Sequence, residues 1–329
     1  MTQSANIIRH NGAEAHWLPQ DVNIPGLPVP QKAFSTDSAF DVLNFAVEGM
    51  RSGLQVALCT LVEIRGGSSR PLGAHMAVVQ DGRYCGYVSG GCTEAAVAAE
   101  ALQAMKSGHD RFVMLGEGSP FFDIVLPCGG GITVAIHLVK DVEPLCSTNK
   151  LVNGRQSARL CYAPGREELW LGRSDNKTGW DGDVFVTSYR PKARIVFSGR
   201  SLEVETAASV AEAAGFDVVL CDHTAGSGFD LSLIDTDTAV ALLQHDLDLE
   251  MPILEAALAA KPFYIGALGS SRTHERRVER LRRNGHSEEA IARIKAPIGL
   301  FGRARDAQSL ALSVIADIAA ARQPSVTQS

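Results

Sequence analysis

The chain has 329 residues, 45% of them hydrophobic and 21% charged, the composition of a globular protein rather than a disordered or collagen-like one. Its net charge of −6 argues against a general binder of nucleic acid or of anionic membranes. The 31 basic residues are 23 arginines and only 8 lysines. Arginine is the better bidentate partner of phosphate and carboxylate, so where the arginines sit matters.

Residues 1–34 are polar and hold four prolines, which suits an extended arm. Ser35 and Thr36 then offer caps to a helix with Phe40, Leu43, Val47 and Met50 on one stripe, closed by Gly53. Residues 55–64 read as a strand and 65–73, RGGSSRPLG, as a loop. The segment AHMAVVQDGRYCGYVS reads as a hairpin turning at Asp81-Gly82. An alanine-rich helix is expected from about Cys92 to Lys106. Strand-like runs flank PCGGG at 127–131, the second being ITVAIHLV. Residues 141–192 are mixed and complete the first domain.

From 194 the pattern changes. Strands RIVFSG, DVVLCD, TAVALL and PFYIGAL alternate with helices at 201–214 and 249–260, and further helices follow at 271–284 and 305–322. Such alternation implies parallel βαβ units. The fold class is therefore α/β, an N-terminal α+β domain over 35–192 followed by a Rossmann-like parallel-sheet domain over 193–322, with 323–329 as a tail. Ligands of such sheets bind beyond the carboxyl ends of the strands, here at Gly199, Asp222, Gln244-His245-Asp246 and Gly269. No run of ~18 apolar residues is present and the N-terminus lacks an apolar leader. The seven cysteines are widely spaced with no CxxC pair. The expectation is a cytoplasmic protein without a disulfide framework, membrane span or metal site.

Five constellations carry candidate chemistry. In Ser89-Gly90-Gly91-Cys92-Thr93-Glu94, glycines allow close backbone approach, and a helix N-terminus would lower the Cys92 pKa, with Glu94 in the first turn. The alternative is a small buried Cys92 and a dipole-friendly Glu94. Cys128-Gly129-Gly130 suggests a backbone held open beside a thiol, or a glycine bulge. Ser68, Ser69 and Arg70 lie in a Gly-rich loop that makes an anion cradle without the Walker A ending. Gly269 and Ser270 precede a helix whose start would bind an anion. Arg272 and His274 stand on its first turn, and six arginines fall within 272–283. Gly199 alone survives of a dinucleotide fingerprint, with Ser201 and Val204 at the other two places and Asp222 where an acid would bind a ribose.

These pieces occur in an order that resembles the XdhC/CoxI family of xanthine dehydrogenase accessory proteins. The resemblance rests on Gly66 with Arg70 through Met76, on Ser89–Glu94, and on Cys128–Gly130. In the second half it rests on His245-Asp246, on Tyr264–Ser270 with Arg272-Thr273-His274, on Ala296–Leu300, and on Ala311–Ala316. The chain departs from the family at Ser69, where a proline is usual, and at Phe301 and Arg303, where an acid and a glycine are usual. The resemblance implies a maturation factor rather than an enzyme. Such a chaperone binds molybdenum cofactor (molybdopterin, or its cytosine dinucleotide form), supports its sulfuration with a cysteine desulfurase, and inserts it into a molybdenum hydroxylase client, commonly acting as a homodimer. Cys92, Glu94 and Cys128 would work at the metal–sulfur end. Ser68, Ser69, Arg70, Gly90, Gly91, Gly129, Gly130, Gly199, His245, Asp246, Gly269, Ser270, Arg272 and His274 would bind the cofactor. Two other readings stand beside it: an NAD(P)-dependent oxidoreductase, and a sulfurtransferase carrying a persulfide on Cys92 or Cys128.

Overall fold

The computed structural model describes residues 26–117, 119, 129–172, 177–199, 201–221, 230–244, 246–301 and 304–323. The chain divides into two compact units, the first ending at Arg190 and the second beginning at Pro191.

In the first unit the elements run β1 (Gln31–Lys32), α1 (Ala39–Arg51), β2 (Val56–Arg65), β3 (His75–Val79), β4 (Arg83–Gly86), α2 (Glu94–Ser107), β5 (Arg111–Gly116), β6 (Gly131–Leu138), α3 (Glu143–Asn153), β7 (Ala158–Ala163), β8 (Glu168–Leu171), β9 (Gly179–Asp181) and β10 (Val184–Tyr189). A six-stranded sheet has the order β1-β4-β3-β2-β6-β5. Its centre, β2, is buried on both faces, which is why its sequence is a near-continuous apolar run. Alternate residues divide between two cores. Ala57, Cys59 and Leu61 pack with Val97, Ala101 and Met105 of α2. Val56 and Leu58 pack with Leu43 and Ala46 of α1 and with Leu145 of α3.

The expected hairpin forms, with Met76–Val78 paired to Tyr84–Gly86 and Gly82 at a positive φ of 93° in its turn. Residues 31–32 of the expected arm add a short parallel edge strand against β4. The mixed region 141–192 contains α3 and a four-stranded sheet in the order β8-β7-β10-β9. Its strands are too short to show a period in the sequence.

The second unit contains β11 (Arg194–Ser198), α4 (Leu202–Ala213), β12 (Asp217–Cys221), β13 (Thr238–Leu242), α5 (Leu247–Ala260), β14 (Tyr264–Ala267), α6 (Ser271–Arg283), α7 (Glu288–Ala292), β15 (Ile294–Lys295) and α8 (Ala307–Arg322). The sheet order is β12-β11-β13-β14-β15 and all its pairings are parallel. The chain leaves β11 in one direction and returns on the other side to β13, so the topological switch point lies between β11 and β13. Apolar side chains fill both faces of the sheet: Phe197 and Ala241 meet α4 and α8, while Val240 and Leu242 meet α5. Among the described residues no helix is long and apolar enough to cross a membrane.

Candidate functional site

Three of the expected loops meet at one end of the first sheet. A Cβ on Gly130 would lie 2.3 Å from the Gly67 carbonyl oxygen and 2.6 Å from that of Arg65. A Cβ on Gly90 would lie 3.2 Å from Ser69 Oγ. The antiparallel pairing of β2 with β6, which sets Arg65 opposite Gly131, carries the first and third loops to the same edge. The glycines therefore have two different causes. Gly130 is small because neighbouring backbone occupies its side-chain space. Gly91 and Gly129 have positive φ values of 101° and 69° and no crowding, so they serve conformation and leave open surface.

Glu94, one of the expected reacting groups, is held by its own loop. It is only 2% exposed and its carboxylate is turned into its own loop. Oε1 accepts from the amides of Val88 at 3.2 Å and Ser89 at 2.8 Å, and Oε2 accepts from the amide of Thr93 at 3.2 Å. The Ser89 hydroxyl donates to it, and the Thr93 hydroxyl donates to Ser89 Oγ. This carboxylate shapes the loop that presents Cys92. The helix begins at Glu94, not at Cys92, with Thr93 as its N-cap; Cys92 is exposed in the preceding loop.

Ser68 also turns inward. Its hydroxyl donates to the Arg70 carbonyl and accepts from the Arg70 amide, which shapes the turn. Ser69 is exposed. Arg70 pairs with Asp37 at 3.1 Å and lies 5.2 Å from the centre of the Tyr87 ring. Lys32 sits 5.2 Å from the same ring centre and 3.2 Å from its hydroxyl. Two cations thus lie against one aromatic ring beside the glycine loops, a setting suited to an anion. Cys128 lies outside the described residues.

In the second unit, Gly199 ends β11 with φ 135°. A Cβ there would lie 3.1 Å from Val204 and 3.4 Å from the Leu243 backbone. Ser201 caps α4, yet its hydroxyl makes no capping bond. Ser201 Oγ and Gln244 Nε2 are buried without a hydrogen-bond partner among the described residues, and they flank the switch point. The expected ligand groups at the other strand ends are used by the fold. Asp246 caps α5 by accepting from Asp248 N. Ser270 caps α6 by accepting from Thr273 N, and Gly269 packs against Thr273. His274 approaches Arg277 at 3.5 Å, and burial followed by that guanidinium lowers its pKa. His245, Arg200, Asp222 and Arg303 lie outside the described residues.

The arginine cluster is largely neutralised. Arg277 is fully buried and forks onto Glu250, with Nη2 also donating to the Leu268 carbonyl at 2.9 Å. Arg280 pairs with Asp248, Arg282 with Glu288 and Arg283 with Glu279. Arg272 is exposed and makes no ion pair among the described residues.

Comparison with known proteins adds a decisive observation. The chain matches the model of the XdhC and CoxI family over residues 50–116 and that of the XdhC Rossmann domain over 195–318. It is 50% identical over 293 residues to the molybdenum cofactor insertion chaperone PaoD of Escherichia coli K12, covering 89% of this chain and 92% of that protein. The chain belongs to the XdhC and CoxI family. An uncharacterized protein of the same organism, YqeB, is 26% identical over 270 residues, which span 80% of this chain and 42% of that protein. A solved structure from Bacillus halodurans, described as a xanthine dehydrogenase, shares the fold with a TM-score of 0.63 at 20% identity. The match covers 87% of this chain and 98% of that one.

In this family member two residues outside the expected site set, Arg65 and His75, support the loops. Arg65 donates to the Glu117 and Ile132 carbonyls, to Glu63 and to Thr133, clasping the strand ends from which the first and third loops spring. His75, directly after the first loop, is buried between Thr60 and Tyr189. Burial pushes its imidazole down to about 4 from an ordinary 6.5. Between those values the unfolded chain binds more protons than the native one, so stability falls as pH drops through this window and is untouched above it. The expected loss is about 3 kcal/mol by pH 4. Urea midpoints measured from pH 8 to pH 4 check it: His75→Asn should remove this share of the acid sensitivity, and an identical profile in both proteins would assign it elsewhere.

Proposed function

We propose that the protein is a molybdenum-cofactor insertion chaperone that binds the pterin cofactor, shields it and delivers it to a xanthine-dehydrogenase-type molybdenum hydroxylase. The identity to PaoD over nearly its whole length carries this reading, and the first two loops of the site lie within the matched family range. Its parts suit the cargo. The Arg70–Tyr87–Lys32 group suits a phosphate. The loops at Gly90-Gly91 and Gly129 leave backbone open for close approach. The Ser201 hydroxyl and Gln244 amide, without a partner among the described residues, suit the nucleotide of a cytosine dinucleotide form at the switch point.

The exposed Cys92 thiol is the group that receives sulfane sulfur from a cysteine desulfurase during cofactor sulfuration. The protein works in the cytoplasm as a homodimer. Expression in a cofactor-producing host tests the reading. The purified protein should carry a pterin that fluoresces after acid iodine oxidation, and a protein that holds none and cannot take up added cofactor would refute it. In the same assay Cys92→Ala should retain the pterin while the activity of the reconstituted client falls at least tenfold.

A further inference from the structure

The Gly66–Gly73 loop closes one side of a cavity of about 350 Å³. Its other walls come from Ala39 at the start of α1, Tyr87 after β4, and Thr187 and Tyr189 of β10. That volume lies at the lower end of small-molecule pockets, which start at ~300 Å³.

A buried polar chain reaches this cavity. Thr60 Oγ1 lies 3.0 Å from His75 Nδ1, and His75 Nε2 hydrogen-bonds the Tyr189 hydroxyl. The two rings stack with centroids 5.7 Å apart. All three residues are buried, and of the three only His75 and Tyr189 line the cavity. A neutral imidazole carries one N–H and one lone pair. When Thr60 donates to Nδ1, Nε2–H donates to the phenol oxygen, and the phenol proton is left for another acceptor. In the other tautomer Tyr189 donates to Nε2 and keeps a lone pair for a donor. Burial raises the Tyr189 pKa, so the group remains a neutral hydroxyl. The charged groups on the walls are Arg70 and Asp37, which are paired with each other. The Arg70 side chain keeps 27% of its surface exposed.

We infer that this cavity takes the flat heteroaromatic ring of the cargo, with the Tyr189 hydroxyl hydrogen-bonding a ring heteroatom and Arg70 meeting an anionic substituent at the mouth. The inference rests on the chaperone reading and deepens it. Thr60 and His75 are positioning residues that set the Tyr189 proton. Pterin chemistry matches the walls, because its edge alternates donors and acceptors while its faces are apolar.

Fluorescence titration with two probes tests this, unsubstituted pterin and pterin-6-carboxylate. The wild type should bind both, the carboxylate more tightly. Tyr189→Phe should weaken both about fivefold, and Thr60→Val should weaken both by a smaller factor. Arg70→Gln should weaken the carboxylate probe alone. Thermal melts accompany each variant. If Tyr189→Phe fails to fold, Thr60→Val and Arg70→Gln decide between them. Wild-type affinity for both probes in the folded hydroxyl variants, or equal weakening of both probes by Arg70→Gln, overturns the inference. A wild type that retains complete cofactor but binds neither ring probe also overturns it while leaving the chaperone reading standing. A wild type that binds the ring probes but never retains cofactor refutes the chaperone reading instead.

Discussion

Arg277→Met is expected to destabilise the second unit by about 3–5 kcal/mol, the cost of leaving one member of a buried ion pair without its partner. Arg277 is fully buried and Glu250 nearly so, with relative side-chain exposures of 0% and 1%. The guanidinium meets both carboxylate oxygens and spends a further donor on the Leu268 carbonyl. Removing it strands a carboxylate among apolar side chains of α5 and α6. It also frees the strand end that leads into Gly269 and Ser270. The double variant Arg277→Met, Glu250→Leu should recover most of the loss, since two apolar side chains can replace a buried pair at little net cost. Urea denaturation of the three proteins decides. A single-variant loss under 1 kcal/mol, or a double variant no better than the single, would show that the pair is not what holds α5 to α6.

Glu94→Ala is the second large effect. It removes the acceptor for three backbone amides, of Val88, Ser89 and Thr93. A buried donor left unsatisfied costs about 1–3 kcal/mol, so a loss of ~3 kcal/mol or more is expected, softened where water enters the loop. Because the same carboxylate shapes the turn that carries Gly91 and Cys92, cofactor retention should fall at least tenfold. Glu94→Gln separates shaping from proton transfer. The amide places an NH2 against backbone donors, so stability and cofactor retention should fall together. Full stability and retention in Glu94→Gln, with loss confined to sulfuration, would return Glu94 to the role of a reacting acid.

The two buried carboxylates show where sequence reading stops. An acid in the first turn of a helix has the same local signature whether it faces solvent, a ligand or its own loop. For Glu94 the choice was made by Val88 and Ser89, whose amides need an acceptor once β4 has ended. The arginine cluster repeats the point. The crowding of six arginines into 272–283 marked a charged helix. It gave no sign that Arg277, on the opposite face with Leu281, is buried against Glu250.

Serine and aspartate at the strand ends gave a similar ambiguity. Ser270 and Asp246 are N-caps, and Ser201 occupies an N-cap without using its hydroxyl as one. The residue types were legible, but their partners were not.

The sequence by itself determined what is local and periodic. The apolar run of β2, the hairpin turn at Asp81-Gly82 and the alternation of strand and helix beyond Arg194 are all set by side-chain spacing over a few residues. They suffice to predict an α+β unit followed by a parallel sheet. Only the tertiary structure decided what is distant. The β2–β6 ladder brings the Gly66–Gly73 loop to Gly130, the short strands β7 to β10 fold into a second sheet, and Tyr189 meets His75 across more than a hundred residues. Such contacts follow from which faces remain to be buried once each element has formed, and no window along the chain contains both partners.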